Sequence, residues 1–353
     1  MARRIEVTGA GGVRLAAWEF GDPPKGEPAR LVPDQSAPRD RPRRDRRLAV
    51  AQEPRGVPPE PCLRVIDPNA PAQPAPAGRE TAPAPPATGT PDAQDTPGVL
   101  LLHGLMGRAS HWASTARWLS GRFRAVALDQ RGHGQSEKPA DGAYTREAYI
   151  ADAEAAIEQL GLGPALLVGH AMGALTAWQL AARRPDLVSG LIILDMRASA
   201  LGAASQREWA DWFRAWPVPF ATLADVRKWF GEDDPWVERP HRARGEFYAE
   251  VMREAQDGWY PVFDPEQMLT SREAWVLDAH WEELAQVRCP SLVVRGLDGE
   301  LGRAEAQEMV RVLPRGQYAE VADAGHLVHY DRPEGWRAAI EPFLAQVLTD
   351  RTG

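Results

Sequence analysis

Residues 167–174, Leu-Val-Gly-His-Ala-Met-Gly-Ala, form an apolar run that turns sharply through two glycines into a helical pattern. On such a bend the central residue, Ala171, sits in a strained conformation with its side chain above the edge of the sheet, and the flanking residues must be small so that strand and helix can approach. Gly169 and Gly173 meet that demand. The stretch therefore predicts a strand–elbow–helix unit with residue 171 at its tip.

Strand and helix patterns alternate on both sides of this elbow. A hairpin is predicted over residues 4–20. Further strands are predicted at 98–104, 123–129, 165–169, 187–195, 290–296 and 317–322, with helices at 109–119, 145–160, 303–313 and 333–348. Strands separated by helices indicate parallel βαβ units. We expect an α/β fold with a mostly parallel central sheet and helices on both faces, built from residues 1–20, 98–196 and 285–353.

Two segments interrupt that pattern. Residues 21–97 contain 19 of the 32 prolines and no aromatic residue, so they cannot bury enough apolar surface to fold and are predicted to be a disordered insertion. Residues 197–284 contain eight of the thirteen tryptophans. They predict a helical lid inserted between two strands of the sheet.

Composition excludes several classes of function. The 49 acidic and 41 basic residues are mixed along the chain and give a net charge of −8, which provides no case for nucleic-acid binding. No apolar run approaches the roughly 18 residues of a membrane span, and the first residues do not resemble a secretory signal, so a cytoplasmic location is expected. Neither a metal-ligand cluster nor a glycine-rich phosphate loop is present, and no cofactor is expected.

Four motifs occur in the order typical of one family. Residues 102–105 (Leu-His-Gly-Leu) resemble an oxyanion loop, and 129–136 (Asp-Gln-Arg-Gly-His-Gly-Gln-Ser) are similar to a D-x-R-G-x-G-x-S turn. Residues 169–173 resemble a nucleophile elbow, and 324–326 (Ala-Gly-His) resemble the loop of a catalytic histidine. Over residues 1–20 and 98–350 the chain therefore resembles the α/β-hydrolase superfamily, in its lipase-, esterase- and lactonase-like branch.

The resemblance implies acyl transfer on a carboxylic ester or lactone. Ala171 occupies the position of the nucleophile, where serine is expected. His326 is implied as the general base, and the backbone N–H groups of Leu105 and Met172 as the donors of the oxyanion hole.

The acid that orients His326 has two candidates. Many relatives carry it three residues after the glycine that ends the preceding strand, but here that glycine is Gly296 and the third residue is Gly299. Asp298 lies one position early. Asp195, at the end of the strand after the elbow helix, is the favoured alternative, because some lipase-like and lactonase-like branches place the acid there.

Candidate substrate-binding residues lie beside the elbow and in the lid. His170 flanks Ala171, and we expect Trp212, Trp216 and Trp259 to contact the substrate. Because indole rings supply a large rigid contact area, they favour a small molecule with a bulky apolar or aromatic group.

Three explanations of the alanine remain open. In the first, serine is natural at position 171 and alanine is a replacement that traps substrate. Alternatively, alanine is native and the protein binds a ligand without turning it over, as receptors that share this fold do. In the third, His326 alone catalyses a cofactor-free oxygenase-like reaction. Loss of the nucleophile removes about 10⁶-fold in kcat from serine hydrolases, so we expect this chain to bind substrate without efficient turnover.

Overall fold

The computed structural model describes residues 2–21, 96–140 and 143–351. Nearly all of the predicted insertion at 21–97 lies outside the described residues. The described part of the chain contains ten strands: β1 (Ala2–Thr8), β2 (Arg14–Phe20), β3 (Gly98–Leu102), β4 (Arg124–Asp129), β5 (Ala165–His170), β6 (Val188–Leu194), β7 (Met252–Ala255), β8 (Gly258–Pro261), β9 (Ser291–Gly296) and β10 (Gly316–Val321).

Eight of these strands form one sheet in the order β1-β2-β4-β3-β5-β6-β9-β10. Strand β2 pairs antiparallel with β1 and with β4, and every other neighbouring pair in this sheet is parallel. The expected α/β fold with a mostly parallel sheet is confirmed. Because β3 to β6, β9 and β10 run the same way, the loops at their carboxyl ends meet at one edge, where ligands bind in such sheets.

Helices cover the sheet. They are α1 (Ala113–Leu119), α2 (Arg146–Leu160), α3 (Met172–Arg183), α4 (Gly202–Arg214), α5 (Leu223–Lys228), α6 (Arg242–Glu250), α7 (Pro265–Val276), α8 (Trp281–Ala285), α9 (Arg303–Val312), α10 (Val328–Asp331) and α11 (Pro333–Asp350). None of the helices in the described ranges is long and apolar enough to cross a bilayer.

The core lies on both faces of the sheet. Alternate residues of β3 belong to different apolar clusters: Leu100 and Leu102 pack in the cluster that contains α2 and α3, whereas Val99 and Leu101 pack in the one that contains α1 and α11. A strand buried on both faces has no polar side to alternate with, which is why it reads as a continuous apolar run.

The segment between β6 and β9, for which the sequence predicts a helical lid, is not wholly helical. It contains α4 to α8, a π-helical turn at Trp229–Asp233 and the hairpin β7–β8. The turn of this hairpin includes Gly258 at φ 143°, a backbone conformation that glycine adopts far more readily than other residues. Four-residue strands give too short a pattern to be separated from helix by periodicity.

Candidate active site

The elbow has the strained geometry that its sequence predicts. Ala171 has φ 47° and ψ −122°, and its N–H donates to the carbonyl of Leu194 on the neighbouring strand at 3.0 Å. A non-glycine residue in such a conformation costs on the order of 1–3 kcal/mol and persists only where its surroundings impose it. The chain retains this strain although alanine has no functional side-chain atom to present.

Close backbone contacts explain the two flanking glycines. A Cβ atom on Gly169 would lie 2.4 Å from Cα of Ala174, and one on Gly173 would lie 2.4 Å from the carbonyl oxygen of Leu102. Both distances are far below van der Waals contact. Any side chain at either position would therefore push α3 away from the sheet and open the elbow.

The loop after β3 brings a second backbone N–H to the elbow. Leu105 and Met172 both line the cavity above Ala171. Among the described residues, neither N–H group donates a hydrogen bond to another residue, apart from any bond inside helix α3. Both residues predicted as oxyanion donors therefore lie at the cavity beside the elbow.

Buried histidines fix that loop. His133 accepts a hydrogen bond from the N–H of Met106 at 3.1 Å, and His103 accepts one from the N–H of Gln130 at 3.0 Å. Burial lowers the pKa of both rings to about 3, so they are neutral and able to accept. The structure thus assigns the two motif histidines to holding the loop.

His326 and Asp195 meet at the carboxyl edge of the sheet. Nδ1 of His326 lies 2.8 Å from Oδ2 of Asp195, whose side chain is fully buried. Asp195 also accepts hydrogen bonds from the N–H groups of Glu300 at 2.9 Å and Leu301 at 3.4 Å. Asp298 lines the same cavity, but within the described part of the chain its side chain makes no hydrogen bond or ion pair with His326. Of the two candidate acids, Asp195 is the one in contact with the histidine.

Gly299 leaves room for the carboxylate of Asp195. A Cβ atom on Gly299 would lie 2.5 Å from Oδ1 and 2.8 Å from Cγ of Asp195. The Asp195 carboxylate therefore occupies the space into which a side chain at 299 would project. A side chain at 299 and the present position of Asp195 exclude each other.

Three carboxylates, those of Glu300, Asp195 and Asp331, favour the protonated form of His326. Burial favours the neutral ring, but the charge of Glu300 and the hydrogen bond and charge of Asp195 outweigh it and raise the pKa of His326 to about 9. Oε2 of Glu300 lies 3.9 Å from Nδ1 of His326. At neutral pH the ring is therefore mainly protonated.

His170 contacts the histidine loop directly. It is buried, and its Nε2–H donates to the carbonyl oxygen of His326 at 2.9 Å, with the two rings 4.5 Å apart. Burial, followed by the charges of His326 and His329, holds its pKa well below the usual range. His170 lines the cavity, and its hydrogen bond fixes the backbone that carries His326.

The cavity above these groups has a volume of about 370 Å³. The predicted residues that line it are Leu105, His170, Ala171, Met172, Asp195, Asp298 and His326.

The three tryptophans predicted to contact substrate do not line this cavity. Trp212 and Trp216 are buried in the aromatic core of the lid, and Trp212 donates its indole N–H to Asp234 at 3.0 Å. Trp259 lies on β8 and its backbone pairs with Phe220. Helical spacing does not indicate which face of a helix in this segment is turned toward the sheet, and the cavity lining gives no support to substrate contact by these three tryptophans.

The lining contains other lid residues instead. They include Trp209, Trp236, His241, Arg244, Phe247, Tyr248 and Trp275, and the core residues of the lining include Glu300 and Asp331. The cluster of tryptophans in the sequence indicated the segment. No sequence signal indicated Glu300, whose place follows from its bond to Asp195.

Comparison with known proteins gives a consistent result. The family model of the alpha/beta hydrolase fold matches residues 97–333. The chain is 30% identical over 260 residues to the 2-(acetamidomethylene)succinate hydrolase of Mesorhizobium japonicum, covering 70% of this chain and 88% of that protein. It is 28% identical over 265 residues to the mouse (Mus musculus) sn-1-specific diacylglycerol lipase ABHD11, covering 70% and 81%.

A solved structure is similar over almost the whole chain. The crystal structure of E-2-(acetamidomethylene)succinate hydrolase superposes with a TM-score of 0.68 at 21% identity and covers 98% of this chain and all of that one. At this level of identity the likeness concerns the fold alone.

Proposed function

The chain belongs to the α/β-hydrolase fold family, and from that premise we propose that its cavity is a serine-hydrolase site in which alanine replaces the nucleophile. The substrate is a carboxylic ester or lactone of a small molecule with a bulky apolar or aromatic group. With Ala171 the protein binds this substrate and does not turn it over efficiently.

One observation supports the proposal above all others. Ala171 keeps a strained conformation, at φ 47°, that presents the side chain of residue 171, and it does so beside a hydrogen-bonded His326–Asp195 pair. Such a bend costs about 1–3 kcal/mol, so its retention together with the His326–Asp195 pair supports a site built for a nucleophile at position 171.

Each group has a definite role in the proposed chemistry. With serine at position 171, neutral His326 would take the hydroxyl proton as Oγ attacks the carbonyl carbon. The N–H groups of Leu105 and Met172 would stabilise the oxyanion, and each such donor is worth on the order of 3 kcal/mol. Protonated His326 would then donate its proton to the leaving alcohol. Asp195 would hold the ring in the required tautomer.

The aromatic lining supports the proposed substrate. Trp209, Trp236, Trp275, Phe247 and Tyr248 face the cavity and provide rigid apolar contacts to a large group. The two relatives named above, a lipase and a succinate-derivative hydrolase, both catalyse hydrolysis, which agrees with acyl transfer. Their names do not identify the substrate of this chain.

The test is Ala171→Ser. We expect this variant to hydrolyse p-nitrophenyl esters or lactones with a kcat on the order of 10⁶-fold above that of the unmodified chain. A correctly folded variant that hydrolyses none of these substrates would favour a native ligand-binding protein over a hydrolase site without its nucleophile.

A further inference from the structure

The cavity above Ala171 combines an aromatic wall with four carboxylates. Its acidic lining residues are Asp195, Asp298, Glu300 and Asp331. Carboxylates near aromatic rings are the groups that recognise a cation, because both the ring faces and the carboxylate oxygens are negative.

The two arginines of the lining are neutralised by residues outside it. Arg197 forms an ion pair with Glu305 at 2.8 Å, and Arg244 forms one with Asp234 at 2.5 Å. Neither Glu305 nor Asp234 lines the cavity. A ligand in the cavity therefore experiences little net positive charge from these arginines.

Two of the four carboxylates lack a strong partner. Asp195 is paired with His326, and Asp331 lies 3.6 Å from Nε2 of His241. Glu300 is 62% exposed and only approaches His326, at 3.9 Å. Among the described residues, the Asp298 side chain has no ion-pair or hydrogen-bond partner.

Asp331 shares its buried carboxylate between the backbone and His241. Its side chain is 6% exposed, and Oδ2 accepts the N–H of Gly325 at 2.9 Å. Oδ1 faces Nε2 of His241 at 3.6 Å, and Asp331 raises the pKa of that histidine. The charge of Asp331 is therefore already balanced when His241 is protonated.

The lid already holds one cation by aromatic contact. The guanidinium of Arg272 lies 4.7 Å from the ring centroid of Trp209 and 5.5 Å from that of Trp275, and it does not line the cavity. Trp236 stacks on Trp212 at 4.5 Å and remains 44% exposed, so part of its surface is available to a ligand.

The summed charge around the cavity is negative. The sum counts the four carboxylates and the two arginines of the lining, the arginines' partners Glu305 and Asp234, and the nearby Arg272. It stays negative even when His241 and His326 are both protonated. A negative, partly desolvated cavity attracts cations and repels a second carboxylate.

We propose that the ligand of this cavity is an ester or lactone that carries a cationic group, an ammonium or quaternary ammonium. Glu300 and Asp298 attract its charge, and Trp236 offers a ring face to it. This assignment rests on the proposed function and specifies its substrate class. It predicts the charge opposite to that of the succinate named for one relative.

The experiment uses the unmodified chain, in which Ala171 permits binding without rapid turnover. Three benzoate esters are compared by calorimetry at pH 7 and low salt. They differ only in the distal group: 2-(trimethylammonio)ethyl, 3,3-dimethylbutyl and 2-carboxyethyl benzoate. We expect the cationic ester to bind about tenfold more tightly than its neutral isostere. The anionic ester should bind most weakly.

Variants test the assignment to Glu300. Glu300→Gln keeps the backbone N–H that Asp195 accepts and removes the charge, so the preference should fall to about threefold or less. Glu308→Gln, an exposed residue that pairs with Arg311, is the matched control and should keep the full preference.

The proposal is overturned if the cationic ester binds no more tightly than the neutral one, or does not bind at all. A preference that survives Glu300→Gln combined with Asp298→Asn overturns the assignment to these carboxylates. Because the readout is binding by a chain without a nucleophile, its failure is separate from a failure of Ala171→Ser to hydrolyse esters.

Discussion

Replacing Asp195 by asparagine should remove most of the activity of a chain that carries Ala171→Ser. Asp195 is buried and accepts three donors: Nδ1–H of His326 and the N–H groups of Glu300 and Leu301. An amide has one oxygen, so its NH₂ group must face at least one of these donors. Either His326 loses the acceptor that fixes its tautomer or a buried N–H loses its partner.

The size of the effect follows from that geometry. In serine proteases the same change in the triad lowers kcat about 10⁴-fold, because the histidine adopts the wrong tautomer. Losing a hydrogen bond to a charged group also costs about 1.5–3 kcal/mol of stability. We expect kcat/KM for p-nitrophenyl esters to fall 10³- to 10⁴-fold in Ala171→Ser/Asp195→Asn.

Asp298→Asn in the same background is the matched control. Asp298 lines the cavity but does not contact His326, so its loss should change kcat/KM of an uncharged ester by about threefold or less. Circular dichroism and thermal melting of all three chains separate misfolding from loss of chemistry. Similar small losses from both substitutions would refute the assignment of Asp195.

Three further predictions follow from single contacts. Gly299→Ala should lower stability, since its Cβ would lie 2.5 Å from Oδ1 of Asp195, and the cost should fall when Asp195→Gly removes that carboxylate. A double-mutant cycle by chemical denaturation measures this coupling, and additive effects would contradict the contact. Because the pKa of His326 is about 9, roughly 1% of the ring is neutral at pH 7, so log kcat/KM of Ala171→Ser should rise with unit slope up to about pH 9. Glu300→Gln should shift this rise in log kcat/KM to lower pH. A pH profile that is flat from pH 6 would disprove the raised pKa. Trp212→Ala should cost about 3–5 kcal/mol of stability because the side chain is buried, whereas Trp236→Ala, at a 44% exposed residue, should mainly weaken ligand binding. Equal melting temperatures for the two variants would contradict this distinction.

The sheet and the elbow could be predicted because their signals are local. Buried parallel strands read as apolar runs, and the demand for small residues at 169 and 173 comes from backbone contacts within the elbow and with Leu102. The start of the helix predicted at 145–160 is local in the same way, because the Thr145 side chain accepts the N–H of Ala148 and caps helix α2.

The lid and the acidic lining could not be predicted in the same way. Trp212 and Trp236 stack on each other, yet only Trp236 reaches the cavity, and that difference depends on how α4 packs across the lid. Glu300 lies near His326 because Gly299 leaves room for Asp195, a long-range contact between two loops. Long-range contacts of this kind leave no periodic pattern of residues in the sequence.

Labelling of Ala171→Ser with a fluorophosphonate tests the central claim most directly. The oxyanion donors, His326 and the strained elbow should activate a serine placed at position 171. Intact-protein mass spectrometry and peptide mapping should therefore find one adduct, on residue 171, and none on the unmodified chain. A folded variant that stays unlabelled beside a reactive serine esterase would contradict the account.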